Sequence, residues 1–244
     1  MSQDTTNNPI YDPQFVSSLF DEMARTYGIV NLISSFGFAK HWRHQCVAEC
    51  PPRVGSRVLD LMTGMGELCP ELAEHVTDEG TIEALDISAV MCERLRTNMA
   101  NNLACEVCVC EADVLSHEFE PESFDYVFSS FGLKTFSPKQ IERLAAQVHR
   151  LLKPGGRFSM LEISVPPGGW IRWPYMFYLH QVIPWIGQVF MGNADNYRML
   201  GRYTQAFEHC DQTREAFTAV GLDTTMRSYF FGCATGVVGR KSPI

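Results

Sequence analysis

Two glycines follow a short apolar run in residues 58–74, VLDLMTGMGELCPELAE, and three acids are spaced around them. A strand feeding a glycine loop that opens a helix presents backbone N–H groups and a positive helix end to a ligand. Gly64 and Gly66 form that loop, with Thr63 before them and Met65 between them. A tight turn could use the same glycines for positive φ alone, so the acids carry the discrimination. Asp86, at the end of the next apolar run and twenty residues after Gly66, is placed to accept both hydroxyls of a ribose. That spacing suits a nicotinamide cofactor equally well. Against that cofactor, Cys69 stands where a dinucleotide fingerprint wants a third glycine or alanine. Asp60, four residues before Gly64, would repel a pyrophosphate and welcome an ammonium or sulfonium group. Asp113 closes a third apolar run, where a carboxylate can meet an exocyclic amine such as that of adenine. A cationic adenosine cofactor without phosphate satisfies all three, and S-adenosylmethionine is such a molecule.

These residues need a scaffold that brings several strand ends together. Apolar runs alternate with helix-period stretches, the pattern of a parallel sheet with helices on both faces. RVLDLM, TIEALDIS, CEVCVCEADV, SFDYVFSSFG and GGRFSMLEIS read as strands one to five. Helices are expected from Glu67, over Val90 to Ala100, over Pro138 to Leu152 and over Thr213 to Val220. The ending DTTMRSYFFGCATGVVGRK reads as two further strands joined by a turn near Gly232 to Gly236. Upstream, Phe15, Leu19, Met23 and Tyr27 recur at spacings of four, so residues 15–50 are expected to form a helical cap. Residues 1–14 read as a flexible lead, and 15–244 as a single domain. Residues 165–210 form a lid or substrate segment, with a polar helical stretch over Asn193 to His209. Within it, residues 170–191 are apolar but interrupted by Arg172, Pro174, His180 and Pro184, which suits a kinked lid or interfacial helix better than a bilayer span.

Composition narrows the classes. Of 244 residues, 45% are hydrophobic and 20% charged, ordinary values for a globular enzyme. The net charge of −8 and the pI near 5.4 argue against a nucleic-acid partner, which needs a basic surface. The polar opening MSQDTTNNPI predicts no secretory leader. Nine cysteines, an odd number spread over a long chain, read as buried apolar residues in a reducing, cytoplasmic setting. Cys105, Cys108 and Cys110 cluster, but no second pair or matching histidine completes a zinc pattern, so no metal is expected.

The same segments resemble a known family. FDEMARTYGIVNLISSFGFAKHWR, LDLMTGMGEL, SFDYVFSSFGLK, LLKPGGRFSMLEIS and above all VIPWIGQVFMGNADNYRMLGRYTQAF are similar to motifs of the ubiquinone/menaquinone biosynthesis C-methyltransferases. These are class I S-adenosylmethionine-dependent enzymes, and the likeness covers nearly the whole chain after residue 15. It implies a Rossmann-like, mostly parallel seven-stranded sheet and methyl transfer to the carbon of a quinol-like aromatic ring. It also implies that Thr63, Gly64, Met65, Gly66 and Ser129 border the methionine moiety of the cofactor. Asp86 and its neighbour Ile87 would hold the ribose, Met91, Asp113 and Val114 the adenine, and Tyr27 would close over the cofactor. The family's Arg-Asn pair after strand four is here Lys134-Thr135, a departure that bears on the acceptor. Lys134, His180, Tyr197 and Arg198 are the polar candidates to face a ring hydroxyl, with the aromatics of the lid as an apolar cover. Methylation of a phenol oxygen, a phospholipid amine or a thiol or arsenical, and a relative without catalysis, are the competing readings. Peripheral contact with a membrane and a homodimer are both compatible with the expected function.

Overall fold

The computed structural model describes residues 8–24, 35, 37–99, 103–191 and 194–243. Seven strands form one sheet in the order β3-β2-β1-β4-β5-β7-β6. They span Arg57–Leu61 (β1), Thr81–Asp86 (β2), Glu106–Glu111 (β3), Phe124–Ser130 (β4), Leu152–Ile163 (β5), Leu222–Tyr229 (β6) and Ala234–Lys241 (β7). The first five are parallel, and β7 runs antiparallel to both β5 and β6. The strand order reverses between β1 and β4, so a crevice opens at their carboxyl ends, where such sheets bind ligands. β1 is buried along Val58, Leu59, Asp60 and Leu61, as expected of a central parallel strand covered on both faces.

Nine helices lie among the described residues: Pro13–Met23 (α1), Phe38–Ala48 (α2), Cys69–Val76 (α3), Ala89–Met99 (α4), Pro138–Leu151 (α5), Arg172–Phe177 (α6), Ile183–Met191 (α7), Ala194–Phe207 (α8) and Asp211–Ala219 (α9). One face of the sheet packs α2, α3 and α4 through residues such as Trp42, Val47, Leu72 and Leu95. The other packs α5 and α9 through Leu144, Val148 and Phe217 against Leu59, Leu61 and Phe158. Local chemistry sets the helix starts. Ser137 and Gln140 form a capping box on α5, with Pro138 in its first turn.

One expectation needs correction. Residues 8–14 are not a loose lead: Pro9–Tyr11 form a 3-10 turn and Asp12 caps α1, accepting from the backbone of Gln14 and Phe15. Tyr203 Oη donates to the Ile10 carbonyl, tying this turn to α8. Within 15–50, α1 packs with α8 through Leu19, Met23, Tyr197 and Tyr203, while α2 lies on the sheet. Within 165–210 the described residues form α6, α7 and α8, with five π-helical residues, Tyr178–Val182, between α6 and α7. Among the described residues no helix is long and apolar enough to cross a membrane.

Candidate active site

The candidate site is a cleft enclosing about 810 Å³ of empty space, part of it open to solvent, at the carboxyl ends of β1, β2 and β4. Its floor comes from Met62, Thr63, Gly64, Leu85, Asp86 and Ile87, and one wall from Met91, Asp113, Val114 and Leu115. The roof is Tyr11, Pro13, Val16 and Phe20, from the turn before α1 and from α1 itself. No described lining residue comes from 165–210.

Positive φ values of +61° at Gly64 and +81° at Gly66 bend the loop tightly on itself, so that the Gly64 N–H donates to Asp86, the Met65 N–H to Glu67 and the Gly66 N–H to the Thr63 carbonyl. A Cβ on Gly66 would stand 2.1 Å from Leu95 Cδ1, so glycine is what lets α4 approach the loop. Gly66 and Met65 shape this loop without lining the cleft. Asp86 sits where β2 ends. Its Oδ2 accepts the Gly64 N–H at 2.8 Å and its Oδ1 the Ser88 N–H at 2.9 Å. Burial nevertheless pushes its carboxyl up to about 6. Asp60 is buried beneath the loop and accepts from Thr63 Oγ1 at 2.6 Å. Burial pushes this carboxyl up to about 7, and its Oδ1 has no hydrogen-bond partner among the described residues. Asp113 braces its own turn by accepting the Leu115 N–H at 2.9 Å.

Those features fit the expected cofactor. A buried carboxylate oxygen without a partner is costly unless a cation or donor meets it, and S-adenosylmethionine carries an ammonium close to its sulfonium. Asp86 retains accepting capacity on both oxygens for ribose hydroxyls. The adenine end would meet Met91, Val114 and Leu115, with Asp113 at its rim.

Residues 8–241 match the ubiE/COQ5 methyltransferase family. The chain belongs to that family. It is an S-adenosylmethionine-dependent methyltransferase. A demethylmenaquinone methyltransferase of Thermus thermophilus is 31% identical over 223 residues, 91% of this chain and 100% of that one. A ubiquinone/menaquinone biosynthesis C-methyltransferase UbiE of Xanthomonas campestris is 33% identical over 190 residues, 77% of this chain and 74% of its own. Among solved structures, phosphoethanolamine N-methyltransferase 2 of Haemonchus contortus, in complex with S-adenosyl-L-methionine, superposes with a TM-score of 0.58 at 18% identity. That match covers 92% of this chain but only 60% of the other. A Mesorhizobium loti S-adenosylmethionine-dependent methyltransferase gives 0.57 at 20% identity, over 81% of this chain and 96% of that one. Both show the class I methyltransferase fold.

The methyltransferase keeps most expected cofactor residues in or under its cleft, but not the expected catalytic ones. Thr63, Gly64, Asp86, Ile87, Met91, Asp113 and Val114 line it. Ser129 does not: it is fully buried, and its neighbour Ser130 at the tip of β4 takes the place. A one-residue step along a strand switches faces, which is why the sequence put the serine one position early. Tyr27 lies outside the described residues. Lys134 is not a free cation. It is buried in the short turn after β4, paired with Glu162 at 2.9 Å, and its Nζ also donates to the Phe131 carbonyl. Glu162 is itself filled, its Oε2 accepting the Lys134 N–H and its Oε1 the Ile163 N–H. His180 and Arg198 line a separate shallow groove with Trp185 and Gln188, and Arg198 pairs with Asp195 on the surface. Tyr197 is buried in the α1–α8 cluster. Sequence reasoning missed Arg43, Glu67, Ser130 and the roof residues, which lie on elements far apart in the chain and meet only through packing. The one legible hint was Glu67, beside the glycine loop it braces by accepting the Met65 N–H.

Proposed function

We propose that this methyltransferase transfers a methyl group to a ring carbon of a quinol-like aromatic acceptor. The match to demethylmenaquinone methyltransferase over that relative's whole length carries the reading. The cleft supports it, since the methionine end opens beside Met62, Phe131 and Phe136, an apolar wall suited to an aromatic ring. The bound cofactor supplies an electrophilic sulfonium methyl group. The chain's own work is to orient and to exclude water. Asp60, with its unspent Oδ1 under the glycine loop, holds the amino-acid end, Asp86 holds the ribose, and Tyr11, Val16 and Phe20 close over them. Lys134 contributes by holding the turn of Leu133–Thr135 against β5, which sets Phe131 and Thr135 in the cleft wall. The competing acceptors gain no support of comparable reach. The phosphoethanolamine enzymes share the fold at 18% identity, and the clustered cysteines are split between a buried Cys105, a half-buried Cys110 and an exposed Cys108.

The acceptor's apolar character gives meaning to an exposed aromatic surface. Trp170, Trp173, Phe177, Phe230 and Phe231 stand out of the fold, linked by ring contacts such as Trp170–Phe231 at 6.2 Å and a Trp173–Phe177 stack at 5.8 Å. Such rings favour a membrane interface, and a peripheral contact there would deliver a greasy acceptor.

Methyl-labelled S-adenosylmethionine, offered with demethylated naphthoquinols and benzoquinols, plain phenols, phosphatidylethanolamine and arsenite, tests the reading. Label is expected on a quinol ring carbon. Label on oxygen, nitrogen or arsenic alone would overturn it.

A further inference from the structure

Among the described residues that line the cleft, one is basic: Arg43, from the middle of α2. Its guanidinium carbon lies 5.0 Å from the centre of the Phe131 ring, and its Nε donates to Ser130 Oγ at a long 3.4 Å. Its nearest carboxylate is Glu67, whose Oε1 is 3.8 Å from Nη2. That separation is an ion pair without a hydrogen bond, and Glu67 Oε1 is a buried oxygen with no hydrogen-bond partner among the described residues. The Arg43 side chain is only 11% exposed. A guanidinium has five N–H donors in a planar fork, and of those on Arg43 only Nε has a hydrogen-bond partner among the described residues, so the cation lines the cleft with donors left for an anion.

Across the same loop stands the opposite deficit, the unpartnered Oδ1 of Asp60. An acid lacking a donor and a base lacking acceptors thus flank one stretch of the glycine loop. An amino-acid head group, with one ammonium and one carboxylate, answers both at once. We propose that Arg43 is the oxyanion seat of this cleft and that its occupant is the carboxylate of the cofactor's methionine end. An acceptor ring oxygen that has lost its proton shares this chemistry. The position of Arg43 between Glu67 of the glycine loop and Ser130 at the end of β4 favours the carboxylate, because Asp60 lies under the same loop. The planar fork suits bidentate contact with a carboxylate, which a lysine would not reproduce. The assignment rests on the cofactor and not on the identity of the acceptor.

The test measures the affinity of the full chain, Arg43→Gln and Arg43→Lys for S-adenosylmethionine and for its decarboxylated form by calorimetry, with thermal unfolding of each variant. Loss of charge-assisted hydrogen bonds should weaken S-adenosylmethionine binding to Arg43→Gln by about tenfold to a hundredfold. The decarboxylated form should bind Arg43→Gln as it binds the parent, and Arg43→Lys, which keeps the charge and most of the packing, should fall between. Unchanged affinity for S-adenosylmethionine, or an equal loss for both forms, would overturn the assignment. A change confined to the acceptor's KM would also overturn it, by moving the oxyanion to the acceptor. Failure of the acceptor reading appears elsewhere, as missing label on a ring carbon while the cofactor affinities stand.

Discussion

Asp60 and Asp86 share the carboxyl edge of the sheet, and both are held above the usual carboxylate range by burial. A carboxyl raised to about 7 keeps a proton in the folded, ligand-free protein that the unfolded chain has lost. Its contribution to stability is therefore full below about pH 4 and is lost as the pH rises through about 7. An incoming ammonium reverses the preference, because it binds the ionised form. Affinity for the cofactor should accordingly tighten between about pH 5.5 and 7, with uptake of ligand coupled to proton release. Calorimetry in buffers of different ionisation enthalpy reads that release directly. A flat profile, or the same slope in Asp60→Asn, would remove Asp60 from the head-group contact. Lys134 carries a prediction of another kind. Its removal leaves Glu162 buried and unpaired, so Lys134→Met should cost about 3–5 kcal/mol of stability. The folded fraction should keep its cofactor affinity, and Lys134→Met with Glu162→Leu should recover part of the loss in a denaturant titration. Equal midpoints for Lys134→Met and the parent would show the pair to be idle. At this scale the sequence was informative where function is local. Gly64, Asp86, Asp113 and Val114 sit beside strand ends, where backbone position alone brings them to the cleft. The settings of Lys134 and Tyr197 were not legible because burial and partnership are tertiary properties: a glutamate 28 positions away claims the lysine, and the tyrosine is buried between α1 and α8.

The strand–helix alternation was legible because each strand is an apolar run and each covering helix buries one regular stripe, as α5 does with Ile141, Leu144, Ala145, Val148 and Leu151. Less legible was how short elements meet. The roof depends on Asp12 capping α1, on Gln140 Nε2 donating to the Tyr11 carbonyl, and on α8 holding Tyr11 against Tyr203. None of these contacts leaves a periodic signature. The loop between β1 and α3 depends on a single close approach. Gly66→Ala would face both a positive φ and a collision with Leu95, itself fully buried. The backbone strain alone costs on the order of 1–3 kcal/mol. Gly155→Ala has the same kind of φ, +76°, but nothing within 4 Å of the new Cβ. Gly66→Ala should therefore lose both thermal stability and most cofactor affinity, whereas Gly155→Ala should lose only a little stability. Matching cofactor affinities in the two variants would show that the α4–loop approach does not shape the site.

Across the whole molecule, charge and apolar surface pull in different directions. A net charge of −8 disfavours approach to an anionic bilayer. The aromatic surface does not share that bias: Trp170 is 80% exposed, Trp173 76% and Phe231 66%. Burying such rings at a lipid interface gains free energy from apolar area rather than from counter-charge. If this surface delivers the acceptor, the full chain should bind zwitterionic phosphatidylcholine vesicles, added anionic lipid should not strengthen the binding, and salt should barely weaken it. Replacing Trp170, Trp173 and Phe231 together by serine should abolish co-sedimentation with those vesicles. The cleft lies on other residues, so turnover of a short-tailed, water-soluble quinol should stay within about twofold, and only a long-tailed quinol embedded in vesicles should be methylated more slowly. That split separates delivery from chemistry. Equal sedimentation of parent and variant would remove the surface from membrane binding. An equal loss of turnover on both quinols would instead place these aromatics in the support of the cleft, and the route of the acceptor would then have to run elsewhere.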